Sequence, residues 1–316
     1  MNSYIKLYTL LIVMIGLGGC KKDTGVLTPS TGNDGYKLNQ GTNDYDATIL
    51  SYYQKYGTYF LYKFTDKDAY WTPTGYSNAV LTTGGLWSNG FEMTSANQQY
   101  ISAQLSLIDK VCFKFYSDKF LKELLPVKML LCSSVDSVYT DFDFSTNPVT
   151  YKKGLKAVGA WYNYDNICVN YGNANVLSMS KQDSITFLGK INLILINSII
   201  GRNKTAPPAA FSSATSYLRS PTSSSDAYAK GILTPYYNGP TPTSDWYLYI
   251  QAMVTSSETM LKSAPPSIDD TSFLGILNSA KDTNGIILTR YNLVRNYFIA
   301  SYNVDLQLIG NASHPL

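Results

Sequence analysis

The single histidine of this 316-residue chain, His314, sets the first limit on its chemistry. A zinc centre built on a histidine pair needs two imidazoles, and Ser-His-Asp or Cys-His nucleophiles need a histidine base held in place. His314 lies in residues 310–316, which have no apolar pattern, and reads as a mobile terminal residue. Carboxylates are the other candidates. Of 22 acidic residues only Glu92, Glu123 and Glu258 are glutamates. A glycosidase-type pair would come from Asp141 and Asp143, from Asp165, or from Asp269 and Asp270. Asp141 and Asp143 share one strand face if the segment is extended, whereas Asp269 and Asp270 read as the cap and first-turn charge of a following helix. Asp141-Phe142-Asp143 with Asn147 offers oxygen ligands for calcium, but the spacing lacks the Gly and terminal Glu of an EF-hand loop.

The elements that would position these groups follow from composition and periodicity. Hydrophobic residues make up 45% and charged residues 15%, against roughly 25% charged in an average soluble domain. The bulk therefore folds around a core, under a polar but weakly charged surface. A net charge of +3, with no basic cluster denser than Lys21-Lys22 or Lys152-Lys153, excludes nucleic acid as a partner. Helical period over Ile49, Tyr52, Tyr53 and Tyr56 stops at Gly57 and feeds a strand over residues 58–64. A long amphipathic helix is predicted over 96–125, with Ile101, Leu105, Ile108, Cys112 and Phe115 on one stripe, and Pro126 ends it before a strand over 127–132. A further strand covers 166–171. Helices are predicted over 181–200, 208–217, 245–262, 271–280 and 285–302. This order predicts one α+β domain with a mixed α/β N-terminal half and a helical C-terminal half.

Residues 1–19, with Lys6 before an apolar run over 7–17, have the order of a secretory signal. Leu17-Gly18-Gly19-Cys20 resembles a bacterial lipobox, which makes Cys20 the expected lipid-attachment residue and the membrane a partner through inserted acyl chains. The Gly-, Thr- and Asn-rich residues 20–44 read as a flexible stalk, 45–308 as the domain and 309–316 as a C-terminal tail. Cys112, Cys132 and Cys168 read as buried free thiols, with a bridge between Cys132 and Cys168 left open. The 27 tyrosines fill half-buried positions or form an aromatic platform, and composition does not separate the two.

Several strings, taken in order, resemble a family of Bacteroidota lipoproteins known as zinc-binding metallopeptidases and associated with starch-utilisation-type nutrient import loci. They are residues 49–56 leading into Phe60-Leu61-Tyr62-Lys63-Phe64, residues 120–131 with Pro126, Thr186-Phe187-Leu188, residues 231–237 (Gly-Ile-Leu-Thr-Pro-Tyr-Tyr), and Tyr302-Asn303-Val304-Asp305-Leu306. The resemblance implies a zincin-like domain whose helix after Thr-Phe-Leu carries H-E-x-x-H, two imidazoles on one face holding zinc and a Glu activating its water. Here those positions are Gly189, Lys190 and Leu193. The family's downstream Glu-Asp-Phe-Ala-Glu corresponds to Ser244-Asp245-Trp246-Tyr247-Leu248. Lys190 is read as a solvated lysine lying along apolar surface, or as the partner of Asp245 across the former cleft.

These readings combine into an expectation: a non-catalytic outer-membrane lipoprotein of the cell envelope, without zinc or other cofactor. It would serve as an accessory or binding protein for nutrient import and engage glycan, peptide or a transporter complex. The alternative is a hydrolase with an Asp-based site outside any zinc motif.

Overall fold

Local capping signals start and stop the elements. In a computed structural model, which describes Tyr36 and residues 41–315, α1 (Asp44–Tyr56) begins where Asp46 Oδ2 accepts the Asn43 N–H at 2.8 Å. It ends at Gly57 in the left-handed region, φ 75°, whose N–H returns to the Tyr53 carbonyl. The expected signal segment, Cys20 and the stalk up to residue 40 lie outside the described residues, Tyr36 excepted.

After α1 the chain runs through β1 (Tyr59–Leu61), α2 (Asp66–Tyr70), the short hairpin β2 (Trp71–Thr72) and β3 (Gly75–Tyr76), and β4 (Gly90–Ser95). Where one long helix is predicted over 96–125 there are two, α3 (Ile101–Val111) and α4 (Asp118–Leu124). Cys112 leaves helical geometry, and Ser117 Oγ accepts the Phe120 N–H at 3.2 Å to start α4. That Ser-Asp start signal was legible but was overridden by the continuous apolar stripe.

β5 (Lys128–Asp143) organises the sheet. Its first part, Lys128–Leu131, runs parallel to β1 and to β8 (Asn166–Val169); the segment Met129-Leu130-Leu131-Cys132 is buried on both faces, as parallel strands are. Its second part keeps only Val135 and Val138 buried between half-exposed polar residues, and pairs antiparallel with β4 and with β6 (Thr150–Ala157). β7 (Ala160–Asn163) closes the six-stranded sheet antiparallel to β8. β6 is missing from the sequence expectation because its residues, including Lys152, Lys153 and Lys156, form a largely exposed edge with no apolar alternation.

The remaining elements are helical, in keeping with the expected helical C-terminal half: α5 (Lys181–Gly201), α6 (Ala209–Ser213), shorter than the helix expected over 208–217, α7 (Ser224–Ala229), α8 (Pro242–Thr255), α9 (Glu258–Lys262), α10 (Ile286–Tyr302) and α11 (Gln307–Ser313), with α7 and α11 not expected. The architecture is α+β. The predicted helix over 245–262 is split at Ser256-Ser257, where Ser257 Oγ caps α9. The predicted helix over 271–280 is absent. That stretch is a series of turns around Lys281, whose ammonium is buried and donates to the carbonyls of Asp270, Ser272 and Leu274. α5 is long and apolar enough to cross a bilayer. Its buried residues instead join the core of the domain, with Phe187, Leu188, Ile191 and Leu195 among them.

The segment read as a mobile tail is packed. α11 crosses α8 so closely that a Cβ on Gly310 would lie 2.2 Å from both the Met253 and the Ser256 carbonyl oxygens. Gln307 Nε2 also donates to the Ser256 carbonyl at 2.8 Å. Packing therefore continues beyond residue 308. Gly310→Ala is expected to lower unfolding free energy by about 1–3 kcal/mol, the usual cost of forcing volume into a tight contact. Urea denaturation checks this; an unchanged midpoint would contradict the close crossing.

Candidate functional site

α5 is held in register from its N-terminus and from its middle. Ser180 and Asp183 form its capping box, with Ser180 Oγ accepting the Asp183 N–H at 3.0 Å. In the middle, the fully buried Asn192 accepts from the Tyr116 hydroxyl and donates to the Val111 and Leu188 carbonyls, each at 2.8 Å. This amide ties α5 to the end of α3, and all its bonds are internal. The opposite face presents Gly189, Lys190 and Leu193, each partly exposed. Leu193 thus lies at the surface of the smaller of two hollows.

That face borders two hollows. The larger, about 690 Å³, lies between α5 and the wall formed by β5, the end of β6 and the turn after β8; Ser133, Asp136, Lys156, Asn175, Phe187 and Lys190 are among its lining residues. The smaller, about 410 Å³, is lined by Gly189, Lys190, Leu193, Thr255, Ser313 and His314 among others. Lys190 lines both. Its pKa is lowered, first by burial and then by the like charge of Lys156. Neither lysine has an ion-pair or hydrogen-bond partner among the described residues.

The positions implied for zinc do not fit a zinc ion. Hydrogen, ammonium and hydrocarbon at 189, 190 and 193 supply no ligand. Among the described residues no group of three or more His, Cys, Asp or Glu side chains converges. The space beside Gly189 belongs to α11: a Cβ there would stand 3.4 Å from Ser313 Cβ, so a longer side chain would meet that helix. His314 stands in the smaller hollow and donates from Nε2 to the Thr255 carbonyl at 2.8 Å. The histidine read as mobile is tied down, and its bonded nitrogen is the protonated one.

Asp245 is not paired with Lys190. It is fully buried in the first turn of α8 and forms an ion pair with Arg290 Nη1 at 2.8 Å. Its Oδ1 accepts from the N–H groups of Leu233 and Thr234 and from Thr234 Oγ1, while Oδ2 also accepts from the Tyr217 hydroxyl. Burial, reinforced by the Asp245 charge, pushes the Tyr217 phenol up. The Arg290 guanidinium lies 3.9 Å from the centre of the Phe211 ring. The sequence reading missed Arg290 because it sits in α10, far from Asp245 along the chain, within an apolar helical pattern.

The other carboxylate candidates are engaged separately. Asp141 lies 3.7 Å from Lys152 on the exposed β5–β6 arm. Asp143 accepts from the Ser145 hydroxyl and N–H, which hold its pKa below the usual carboxylate range. Asp165 pairs with Lys128 at 3.1 Å. Asp270 bonds Ser272 in the turns around Lys281 and starts no helix. Cys112, Cys132 and Cys168 are free and buried. Most of the early tyrosines belong to the core: Tyr52, Tyr56 and Tyr62 are buried, bonded to Asp109, Asp118 and Asp46 respectively.

The sequence reading singled out Lys190 but missed Lys156, Asn175 and the position of Tyr171 beside it. Tyr171 has φ 76°, unusual for a bulky residue, and is held there as its N–H donates to Asn170 Oδ1 at 2.6 Å. Its ring packs edge-on against Phe187, with centroids 4.8 Å apart.

No protein-family profile and no curated protein sequence matches this chain. A solved structure, named as a putative zinc-binding metallo-peptidase from Bacteroides caccae, is similar to it with 13% identity over 86% of this chain and 93% of that one, at a TM-score of 0.42.

Two outcomes follow from the charges. Because the Lys190 pKa is lowered in the folded state, its charge costs stability below the folded pKa, and the cost vanishes above the unfolded one. Lys190→Met should therefore raise the melting temperature at neutral pH, by a margin that shrinks as pH rises through the lysine range; thermal scans at several pH values test this. Asp245→Ala leaves Arg290 buried and unpaired, and should cost about 3–5 kcal/mol in urea unfolding. A fully stable Asp245→Ala protein would show that the network is not structural.

Proposed function

We propose that this chain is a non-catalytic binding protein of the cell envelope, a degenerate relative of the zinc-binding metallopeptidase lipoproteins with a zincin-like domain. It would be tethered through lipid on Cys20 and serve as an accessory of an outer-membrane nutrient import system. One observation carries the reading: the α5 face that the family resemblance assigns to zinc instead borders two hollows, with Gly189 under α11 and Leu193 giving apolar surface in the smaller and Lys190 presenting an unpaired ammonium to both. Such a face can hold a ligand and cannot activate a metal-bound water. The aspartates of the hydrolase alternative have other roles. Asp245 closes a core network, Asp141 and Asp143 sit on the exposed arm, and Asp165 and Asp270 each pair with a lysine.

The test is metal analysis of the purified mature chain after incubation with zinc and desalting, alongside peptide and polysaccharide cleavage assays with and without a chelator. The expected result is no stoichiometric zinc and no cleavage. Retained zinc with chelator-sensitive cleavage would overturn the reading, and so would cleavage abolished by Asp141→Ala.

A further inference from the structure

Two lysines, Lys190 and Lys156, face the larger cleft, and neither forms an ion pair with its one carboxylate, Asp136. Lys190 is half-buried, its stem lies against the β6–β7 connection, and a Cβ on Gly159 there would be 3.4 Å from Lys190 Cγ. Lys156 raises the local positive potential from the opposite wall. Like charges gathered in a concave, partly desolvated site repel each other and attract an anion. The remaining uncommitted polar groups lining the cleft include further donors, the Tyr171 hydroxyl and the Asn175 side-chain amide, and one carboxylate, Asp136. The set suits a ligand rich in acceptors that carries a negative group.

The wall also disfavours an extended peptide. A peptide adding as a strand needs free backbone groups. Here the Val158 N–H donates to the Val135 carbonyl, the Val158 carbonyl accepts from Asn170 Nδ2, and the Gly159 carbonyl accepts from the Asn170 N–H. Recognition is left to side chains: ammonium, phenol and amide groups, with the tyrosine ring fixed by its positive-φ backbone and its contact with Phe187. Hydroxyl-bearing rings with a carboxylate satisfy such groups, and a cleft of about 690 Å³ is large enough for a short oligosaccharide.

We propose that this cleft binds an acidic oligosaccharide, with a sugar carboxylate on Lys190, Lys156 assisting, and Tyr171 and Asn175 taking hydroxyl groups. This rests on the reading of the cleft as a binding site and adds the class of ligand.

The test is calorimetric titration of the purified mature chain with trigalacturonate as the probe, next to its neutral counterpart galactotriose and the acidic peptide Glu-Glu-Glu. Trigalacturonate is expected to bind, and galactotriose to bind at least about tenfold more weakly, since it lacks the charged hydrogen bond to Lys190. Lys190→Met should weaken trigalacturonate by about tenfold or more, with Lys190→Arg restoring most of the loss and circular dichroism unchanged in both. Equal binding of the neutral sugar, or stronger binding of the peptide, with loss in Tyr171→Ala, would overturn the acidic-sugar assignment while leaving the cleft as a binding site. Binding of trigalacturonate unaffected by both Lys190→Met and Tyr171→Ala would overturn the assignment of the cleft itself. No binding by any probe would overturn the acidic-sugar proposal, and metal and cleavage assays would still judge the non-catalytic reading separately.

Discussion

The anchoring of α5 is the constraint on which the rest depends. A 21-residue apolar helix can turn many faces outward, and the buried Asn192 removes that freedom by binding Tyr116 and the Val111 carbonyl. An unsatisfied amide inside the core would cost on the order of 1–3 kcal/mol, so rotating the helix is disfavoured by the amide as well as by its apolar side chains. With Phe187, Ile191 and Leu195 fixed inward, Gly189 and Leu193 must border the smaller hollow and Lys190 both it and the larger cleft. The chemistry of those three positions then defines what the cleft can do.

The second constraint is electrostatic. The helical half is tied together by a fully buried ion pair, Asp245–Arg290, which links α8 to α10 and is closed by Tyr217 and the backbone at Leu233 and Thr234. Pairs of this kind tolerate removal of one partner poorly, because the other charge is left in a low-dielectric interior. The same carboxylate is therefore unavailable to Lys190. Arg290, on the buried side of α10, satisfies the carboxylate in the core, and the ammonium of Lys190 has no ion-pair partner among the described residues.

How much of this was legible in the residues depends on where the signal lived. α1 with its Gly57 stop, the strand after Pro126, α5 and α10 were readable because periodicity and stop signals agreed. The breaks at Cys112 and at Ser256-Ser257 were hidden by apolar patterns that run on through short turns, with only serine caps to mark them. The turns over 271–280 depend on Lys281, whose three carbonyl bonds come from tertiary placement. At the site, position 190 could be read as a lysine on a mostly apolar helix. Its neighbours could not: Lys156 comes from an edge strand without alternation, Tyr171 from an unusual backbone angle, and His314 from a segment whose packing rests on glycine at 310.

Crystals of the chain soaked in zinc and measured at the zinc absorption edge test the central claim most directly. The account predicts no anomalous peak beside residues 189–193, because nothing on that face donates to a metal. A strong peak there, bridged by His314 or by a carboxylate moved from elsewhere, would contradict it.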